Sequence, residues 1–166
     1  MDLMYAFRLI AAPALLLAAP LASGPLQQQV DPLRFFQGRT ETVGTVKIMF
    51  HKAYRTHSLG AGRIEPDGSL TLVQRVEDEG KAPHDRRWHV RQTAPDRFSA
   101  SMSEAVGPVT IERVGDRYRF RFKLQGDLNA EQVLTPLPGG KSALSNTKVK
   151  HFGITVATTD AIVRKI

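Results

Sequence analysis

One segment of the sequence resembles the end of a phosphate-binding loop. Residues 139–142 are Gly-Gly-Lys-Ser, but a P-loop needs a further glycine five positions before Gly140, where this chain has Thr135. Pro136 and Pro138 also interrupt the segment, and no helical pattern follows it. Without that context the segment predicts a hairpin turn and not a phosphate site.

A second segment has the spacing of a Ser-x-x-Lys nucleophile, formed by Ser145 and Lys148. In penicillin-recognising enzymes this motif lies on a helix and is accompanied by Ser-Asp-Asn and Lys-Thr-Gly elements. Neither accompanying element occurs in this chain, and residues 142–152 have the pattern of a strand. We therefore expect ordinary strand residues here.

Histidine and cysteine usage limits the possible metal and thiol chemistry. No pair among His51, His57, His84, His89 and His151 has the spacing of a helical zinc motif. The chain has no Cys, which excludes disulfides, thiolate nucleophiles and Cys-ligated metals. A barrel could still bring distant histidines together, so a His-ligated haem is the alternative. Since no catalytic constellation emerges, we expect a protein that is not an enzyme and that has no cofactor.

Basic and apolar residues alternate strictly between residues 117 and 124. A strand directs successive side chains to opposite faces. One face then carries Tyr118, Phe120, Phe122 and Leu124, and the other carries Arg117, Arg119, Arg121 and Lys123. A nucleic-acid-binding sheet would mix aromatic and basic side chains on one face. The separation instead predicts a buried face and an exposed one, and it argues against nucleic acid as a partner.

A turn signal at Gly115 and Asp116 precedes this strand and predicts a β-hairpin. The predicted cross-strand pairs are Arg113–Tyr118, Glu112–Arg119, Ile111–Phe120, Thr110–Arg121 and Val109–Phe122. In this register apolar residues meet apolar residues and an acid meets a base, as cross-strand pairing prefers. A shift by one residue would bring phenylalanines against charged side chains.

Further short alternating runs, separated by turn signals, follow one another from residue 39 onwards. About eight to ten strands without an amphipathic helix predict an all-β fold, a single antiparallel up-and-down β-barrel. In the first strand Gly44 indicates a bulge or bend, and Gly44, Gly60 and Gly62 are expected to leave interior room. Before the strands, Asp31 and Pro32 predict the start of a short helical turn.

The first 24 residues have the pattern of an export signal. Arg8 precedes an apolar run at residues 9–22 that is short for a membrane span and ends in small residues. We therefore predict a signal peptide or N-terminal anchor at residues 1–24, a linker at 25–30 and a barrel domain at 31–166. The expected location is the periplasm, and an uncleaved membrane anchor is the alternative.

Several motifs, taken in order, are similar to those of a known family. Residues 35–39 are Phe-Phe-Gln-Gly-Arg, residues 146–153 are Asn-Thr-Lys-Val-Lys-His-Phe-Gly, and between them lie Trp88 and a Val-Gly pair at 106–107. This order resembles the bacterial envelope family called domain of unknown function 3833, over about residues 31–166. The resemblance implies a lipocalin-like barrel in the cell envelope and no particular reaction. Some relatives carry a lipobox Cys, which this chain lacks.

The predicted function follows from the inward face of the barrel. We expect an apolar or lipid-like small molecule to bind there, in contact with Trp88, Val90, Tyr118, Phe120, Phe122 and Leu124. Arg113, Lys123 or Lys150 would meet an anionic head group at the mouth. The formal net charge of +7 is also compatible with anionic lipid or polyanionic envelope polymers as partners, and a solvated basic exterior is the alternative. The alternative is a structural or interaction protein of the envelope whose barrel is filled by its own side chains.

The export prediction is open to a direct test. Fusing residues 1–30 to a reporter that is active only outside the cytoplasm should give activity, because the apolar run after Arg8 would direct translocation. An intact fusion protein that stays silent in the cytosol would contradict the prediction.

Overall fold

A computed structural model describes residues 31–166, which form one short helix and a closed barrel of ten antiparallel strands. The elements in chain order are α1 (Pro32–Phe36), β1 (Gly38–Ile48), β2 (Tyr54–Ile64), β3 (Leu70–Asp78), β4 (His84–Ala94), β5 (Arg97–Met102), β6 (Val109–Val114), β7 (Arg117–Leu124), β8 (Leu128–Pro136), β9 (Ser142–His151) and β10 (Ile154–Lys165). Each strand pairs with its sequence neighbours, and β1 pairs with β10 to close the barrel. The predicted all-β barrel is confirmed. The predicted signal segment and linker, residues 1–30, lie outside the described residues.

The hairpin of β6 and β7 has the predicted turn and nearly the whole predicted register. The pairs Arg113–Tyr118, Glu112–Arg119, Ile111–Phe120 and Thr110–Arg121 all form. The register ends there, one residue short of the predicted Val109–Phe122 pair. On the outer face Arg119 Nη2 lies 3.0 Å from Glu112 Oε1. This contact leaves Arg119 half-buried, where alternation predicted exposure.

The turns of the barrel divide into two sets that define its two ends. The turns after β2, β4, β6 and β8 lie at the end covered by α1, here called the α1 end. The remaining turns lie at the opposite end, here called the open end. Inward side chains near the α1 end are fully buried, such as Leu70 and Ala143. Phe122 and Leu124, near the open end, are only half-buried. The barrel is therefore packed at one end and hollow at the other.

The helix α1 begins as predicted at Asp31. The carboxylate of Asp31 accepts a hydrogen bond of 2.9 Å from the backbone N–H of Leu33, and Pro32 occupies the first turn. This is the usual way to satisfy a free N–H at a helix start. Phe35 is buried in the core and lies edge-on to Phe36. Among residues 31–166 no helix has the length and apolar character that crossing a bilayer requires.

The last turn of α1 is held by Lys165 of β10. Its Nζ donates hydrogen bonds to the carbonyl oxygens of Arg34, Phe35 and Gln37 at 2.9, 3.0 and 2.9 Å. Carbonyl groups at a helix C-terminus lack partners within the helix, and a cation there is favourable. The strand that closes the barrel thus also fixes the helix across its end.

Glycines in β1 and β2 allow close approach of neighbouring elements and do not create space. β1 pairs through Gly44 without a register shift, so the predicted bulge at Gly44 is wrong. A Cβ at Gly44 would lie 2.6 Å from the Cβ of Ala161 on β10. At Gly62 a Cβ would collide with the carbonyl oxygen of Phe36. These positions need glycine because another backbone passes beside them.

The two faces of β7 should differ in their contribution to stability. Phe120→Ala should lower the free energy of unfolding by about 3–5 kcal/mol, the usual cost of truncating a buried ring, because Phe120 is 8% exposed and packs against Trp88. Arg121→Ala should lower it by less than about 1 kcal/mol, because its ion pairs are exposed to solvent. Urea unfolding measures both. Equal losses would contradict the assignment of the faces.

Because α1 contacts β2 at residue 62, any side chain at that position should lower the stability of the protein. Gly62→Ala should lower the free energy of unfolding by about 1–3 kcal/mol, because the helix must shift to accommodate the methyl group. The matched control is Ala61→Val at the neighbouring exposed position, which should change stability by no more than about 0.5 kcal/mol. Thermal unfolding followed by circular dichroism compares the two, and a stable Gly62→Ala variant would argue against a tightly seated helix.

Candidate functional site

The barrel encloses a cavity of about 290 Å³ between α1 and the open end. Pro32, Leu33 and Phe36 form its floor, and all ten strands contribute inward side chains to its walls. These side chains face the cavity because every second residue of a barrel strand points inward. The volume lies just below the usual range for ligand sites, about 300–1,000 Å³.

One wall of the cavity, here called the aromatic wall, consists of Trp88 on β4 with Phe120 and Phe122 on β7. The two phenylalanine rings lie edge-on to Trp88, with centroid distances of 6.3 and 6.4 Å. Trp88 Nε1 donates a hydrogen bond of 3.0 Å to Oε1 of Gln74. This bond satisfies the polar atom of the indole and fixes the ring. The wall is therefore a preformed apolar surface.

The facing half of the barrel is lined mainly by small and polar side chains. Strands β8, β9, β10, β1 and β2 are consecutive around the barrel. Apart from Tyr54 at the rim, their polar cavity-lining side chains, here called the hydroxyl wall, are Thr42, Thr56, Ser58, Gln132, Ser145, Thr147 and Thr159. Gln132 Nε2 donates a hydrogen bond of 2.8 Å to Ser145 Oγ. Gln132, Thr147 and Thr159 are paired across three strands and form one continuous polar row.

Charged side chains line the cavity towards the open end. Glu104 accepts a hydrogen bond of 2.8 Å from Arg86 Nη2 and lies 2.9 Å from His84 Nε2. Nearby on the rim, Lys81 Nζ donates a hydrogen bond of 2.7 Å to the Tyr54 hydroxyl. This bond raises the pKa of Lys81, and it is the largest cause of that shift. The rim therefore presents both signs of charge, in addition to the basic residues that we expected at the mouth.

Five of the six predicted site residues lie together in this cavity: Trp88, Val90, Phe120, Phe122 and Leu124. The sixth, Tyr118, is buried near the α1 end, where its ring lies edge-on to Phe98 at 6.3 Å. Burial raises the pKa of the Tyr118 phenol. Tyr118 shares the inward face of β7 but sits at the packed end, below the cavity. Ligand binding by the five lining residues stays a prediction.

The predicted position of Arg113 at the mouth is wrong. Arg113 lies beside the β6–β7 turn at the α1 end, where its Nε donates a hydrogen bond of 2.9 Å to the carbonyl of Gly115. Its Nη1 lies 3.6 Å from Asp96. Lys123 and Lys150 do lie towards the open end, but both are exposed on the outer surface of the barrel.

The Gly-Gly-Lys-Ser segment and the Ser-x-x-Lys pair both have structural roles. Residues 137–142 form the β8–β9 turn, in which the N–H of Leu137 donates to the carbonyl of Ser142 at 2.9 Å. This confirms the predicted turn. Ser145 points inward and is buried, whereas Lys148 is exposed on the opposite face of β9. Within residues 31–166 no group of three or more His, Cys, Asp or Glu is placed to hold a metal ion.

Sequence reasoning missed the hydroxyl wall. Ser145 was considered only as a nucleophile, Thr147 only as part of the family motif at residues 146–153, and Gln132 was not considered. Extending the alternation through β8 would have placed Gln132 inward, between the inward Ala130 and Leu134. What the alternation could not show is that these polar residues face the same hollow as the aromatic wall.

Two solved structures were found to be similar to this chain, and the first of them supports the fold. An S-type phycobiliprotein lyase, CPES, from Guillardia theta superposes with a TM-score of 0.60 at 8% identity, over 81% of this chain and 90% of that one. A redesigned beta barrel, mFAP0, bound to DFHBI superposes with a TM-score of 0.46 at 8% identity, over 79% of this chain and 99% of that one. No curated protein matches the sequence.

A sequence model of the family that the motifs resemble also matches this chain. The sequence model of the family matches residues 24–165, a span that contains all ten strands and the motifs at residues 35–39 and 146–153. The match therefore extends over the whole barrel and is not confined to one motif. The chain belongs to the family of proteins of unknown function designated DUF3833.

Proposed function

We propose that this protein is a non-catalytic carrier or sensor that binds one apolar or lipid-like small molecule inside its barrel. The observation that carries the proposal is the cavity of about 290 Å³, which the inward side chains leave unfilled. Small barrels either fill their interior with side chains or hold one small ligand. A preformed, partly apolar cavity with a few polar groups has the general character of a ligand site.

The two walls of the cavity favour an amphipathic ligand. A ring or acyl chain would pack against Trp88, Phe120 and Phe122, where dispersion and edge-to-face contacts are available. Hydroxyl or carbonyl groups on the other side of the ligand would face the row of Gln132 and Thr147. A charged head group would stay at the rim, where it keeps its contact with water.

The lining residues favour binding over catalysis. A serine nucleophile needs an adjacent general base within hydrogen-bonding reach. Ser145 is hydrogen-bonded to Gln132, whose amide cannot accept a proton at neutral pH. A fold shared with a phycobiliprotein lyase does not transfer that activity, because one fold hosts many unrelated functions.

We further propose that the protein works in the periplasm after export by residues 1–24, with an uncleaved N-terminal anchor as the alternative. The support is the apolar run after Arg8. The second candidate function is a structural or interaction protein of the envelope. The packed α1 end favours this candidate, since Leu70 and Ala143 there are at most 1% exposed.

The binding proposal predicts uptake of a fluorescent fatty acid by residues 25–166, which contain the whole described core. We expect a Kd of roughly 1 μM, equal to about 8 kcal/mol, measured by fluorescence titration. Phe122→Trp should weaken this binding at least about tenfold, because the larger ring enters the cavity beside Trp88.

The matched control is Asn129→Trp, which introduces the same side chain at an exposed position on the outer face of β8. It should bind the fluorescent fatty acid like the parent protein. Native mass spectrometry must first show that no ligand has co-purified. If the folded, ligand-free protein then takes up no acyl, isoprenoid or sterol-like compound, the filled-barrel candidate is favoured instead.

A further inference from the structure

Two hairpin tips at the open end carry exposed aromatic side chains. Phe50, in the turn between β1 and β2, is 97% exposed, and Phe152, in the turn between β9 and β10, is 80% exposed. Met49 and Ile154 beside them are exposed as well. Large apolar side chains that cluster on a surface mark sites of interaction. These four residues are called the tip surface below.

The backbone at both tips disfavours phenylalanine. Phe50 has φ of 62° and Phe152 has φ of 46°, in the left-handed region that glycine, asparagine and aspartate adopt most easily. At the α1 end the turns place Gly68, Asp96 and Gly115 in this region. Neither core packing nor turn geometry therefore accounts for the two rings, and a backbone outlier of this kind is a reason to look for function.

The two tips form one surface because β1 and β10 are neighbours. The pairing of Ile48 with Ala157 continues into the turn, where the N–H of Met49 donates a hydrogen bond of 2.9 Å to the carbonyl of Val156. Both tips therefore extend from the same side of the open end. Val46 on β1 and Val149 on β9, just below the tips, line the cavity.

Basic side chains surround the tip surface. Residues 47–55 and 148–158 contain five lysines and arginines and no aspartate or glutamate: Lys47, Lys52, Arg55, Lys148 and Lys150. All five are exposed, and none of them forms a side-chain ion pair within the described part of the chain. The acids Glu79 and Asp127 belong to the hairpins on either side.

We propose that the tip surface docks on an anionic lipid bilayer. Aromatic rings are stable at the boundary between head groups and acyl chains, and unpaired lysines beside them are attracted to lipid phosphates. The surface consists of two protruding tips and not of a groove, which suits a fluid bilayer because a bilayer needs no complementary shape. Docking would turn the open end of the cavity towards the membrane, but it does not depend on the cavity being occupied.

Sedimentation with sucrose-loaded vesicles tests this proposal. Residues 25–166 are used, because the apolar run at residues 9–22 would itself bind lipid. The protein should bind vesicles of phosphatidylglycerol and phosphatidylcholine at least about tenfold more strongly than phosphatidylcholine alone, and added salt should weaken the binding. Phe50→Ser with Phe152→Ser should reduce binding at least about tenfold, and Lys52→Glu with Lys150→Glu should do the same.

The matched control is Leu59→Ser with Leu144→Ser, which removes two apolar side chains that are each 41% exposed on the barrel wall, away from the tips. This variant should sediment like the parent protein. Fatty-acid uptake by the Phe50 and Phe152 double variant should be unchanged, which separates failure of docking from failure of the cavity. Absence of binding to anionic vesicles, equal binding to neutral ones, or parent-like binding by the tip variants would each overturn the proposal.

Discussion

The structure depends on a geometric constraint, namely that ten strands enclose more space than this chain fills. Barrel diameter grows with strand number, and eight strands already give an interior just wide enough for side chains to fill. Here all ten strands belong to one closed barrel. The interior space that the strands leave differs between the two ends of the barrel. At one end α1 and large apolar residues occupy it, and at the other it remains as the cavity.

Placing the helix in the barrel end imposes its own requirements. Its last carbonyl groups have no partners within the helix, and Lys165 supplies hydrogen bonds to them. Its backbone also passes so close to β2 that only glycine fits at residue 62. Two pairs of polar groups within the cavity are also hydrogen-bonded, Trp88 with Gln74 and Gln132 with Ser145. Partly buried polar pairs of this kind keep these side chains in one arrangement and help to define the shape of the cavity.

The sequence predicts local features of this fold well, because they depend on near neighbours in the chain. The β6–β7 register follows from one turn and one alternation pattern, and α1 follows from Asp31 and Pro32. Alternation shows which face a residue occupies, but it does not show the height of that residue along the barrel axis. For this reason Tyr118 was expected in the cavity and Arg113 at its mouth, although both lie at the α1 end.

The sequence alone did not predict features that depend on how distant strands align with one another. The hydroxyl wall exists because β8, β9, β10, β1 and β2 bring small polar residues to one side of the hollow. A glycine inside a strand, such as Gly44, usually indicates a bulge. Here the glycine is required because Ala161 on the paired strand leaves no room for a side chain. In both cases the deciding neighbour is more than ten residues away in sequence, where no short pattern can indicate it.

Closure between β1 and β10 also means that the barrel cannot close until its last strand has been synthesised. A chain that has emerged only as far as β9 exposes two unpaired strand edges, one on β1 and one on β9, and such edges are sites of intermolecular association. The last turn of α1 likewise lacks its hydrogen bonds from Lys165 until that residue has been synthesised. A chain that lacks β10 would thus benefit from a chaperone that shields these edges until the final strand arrives.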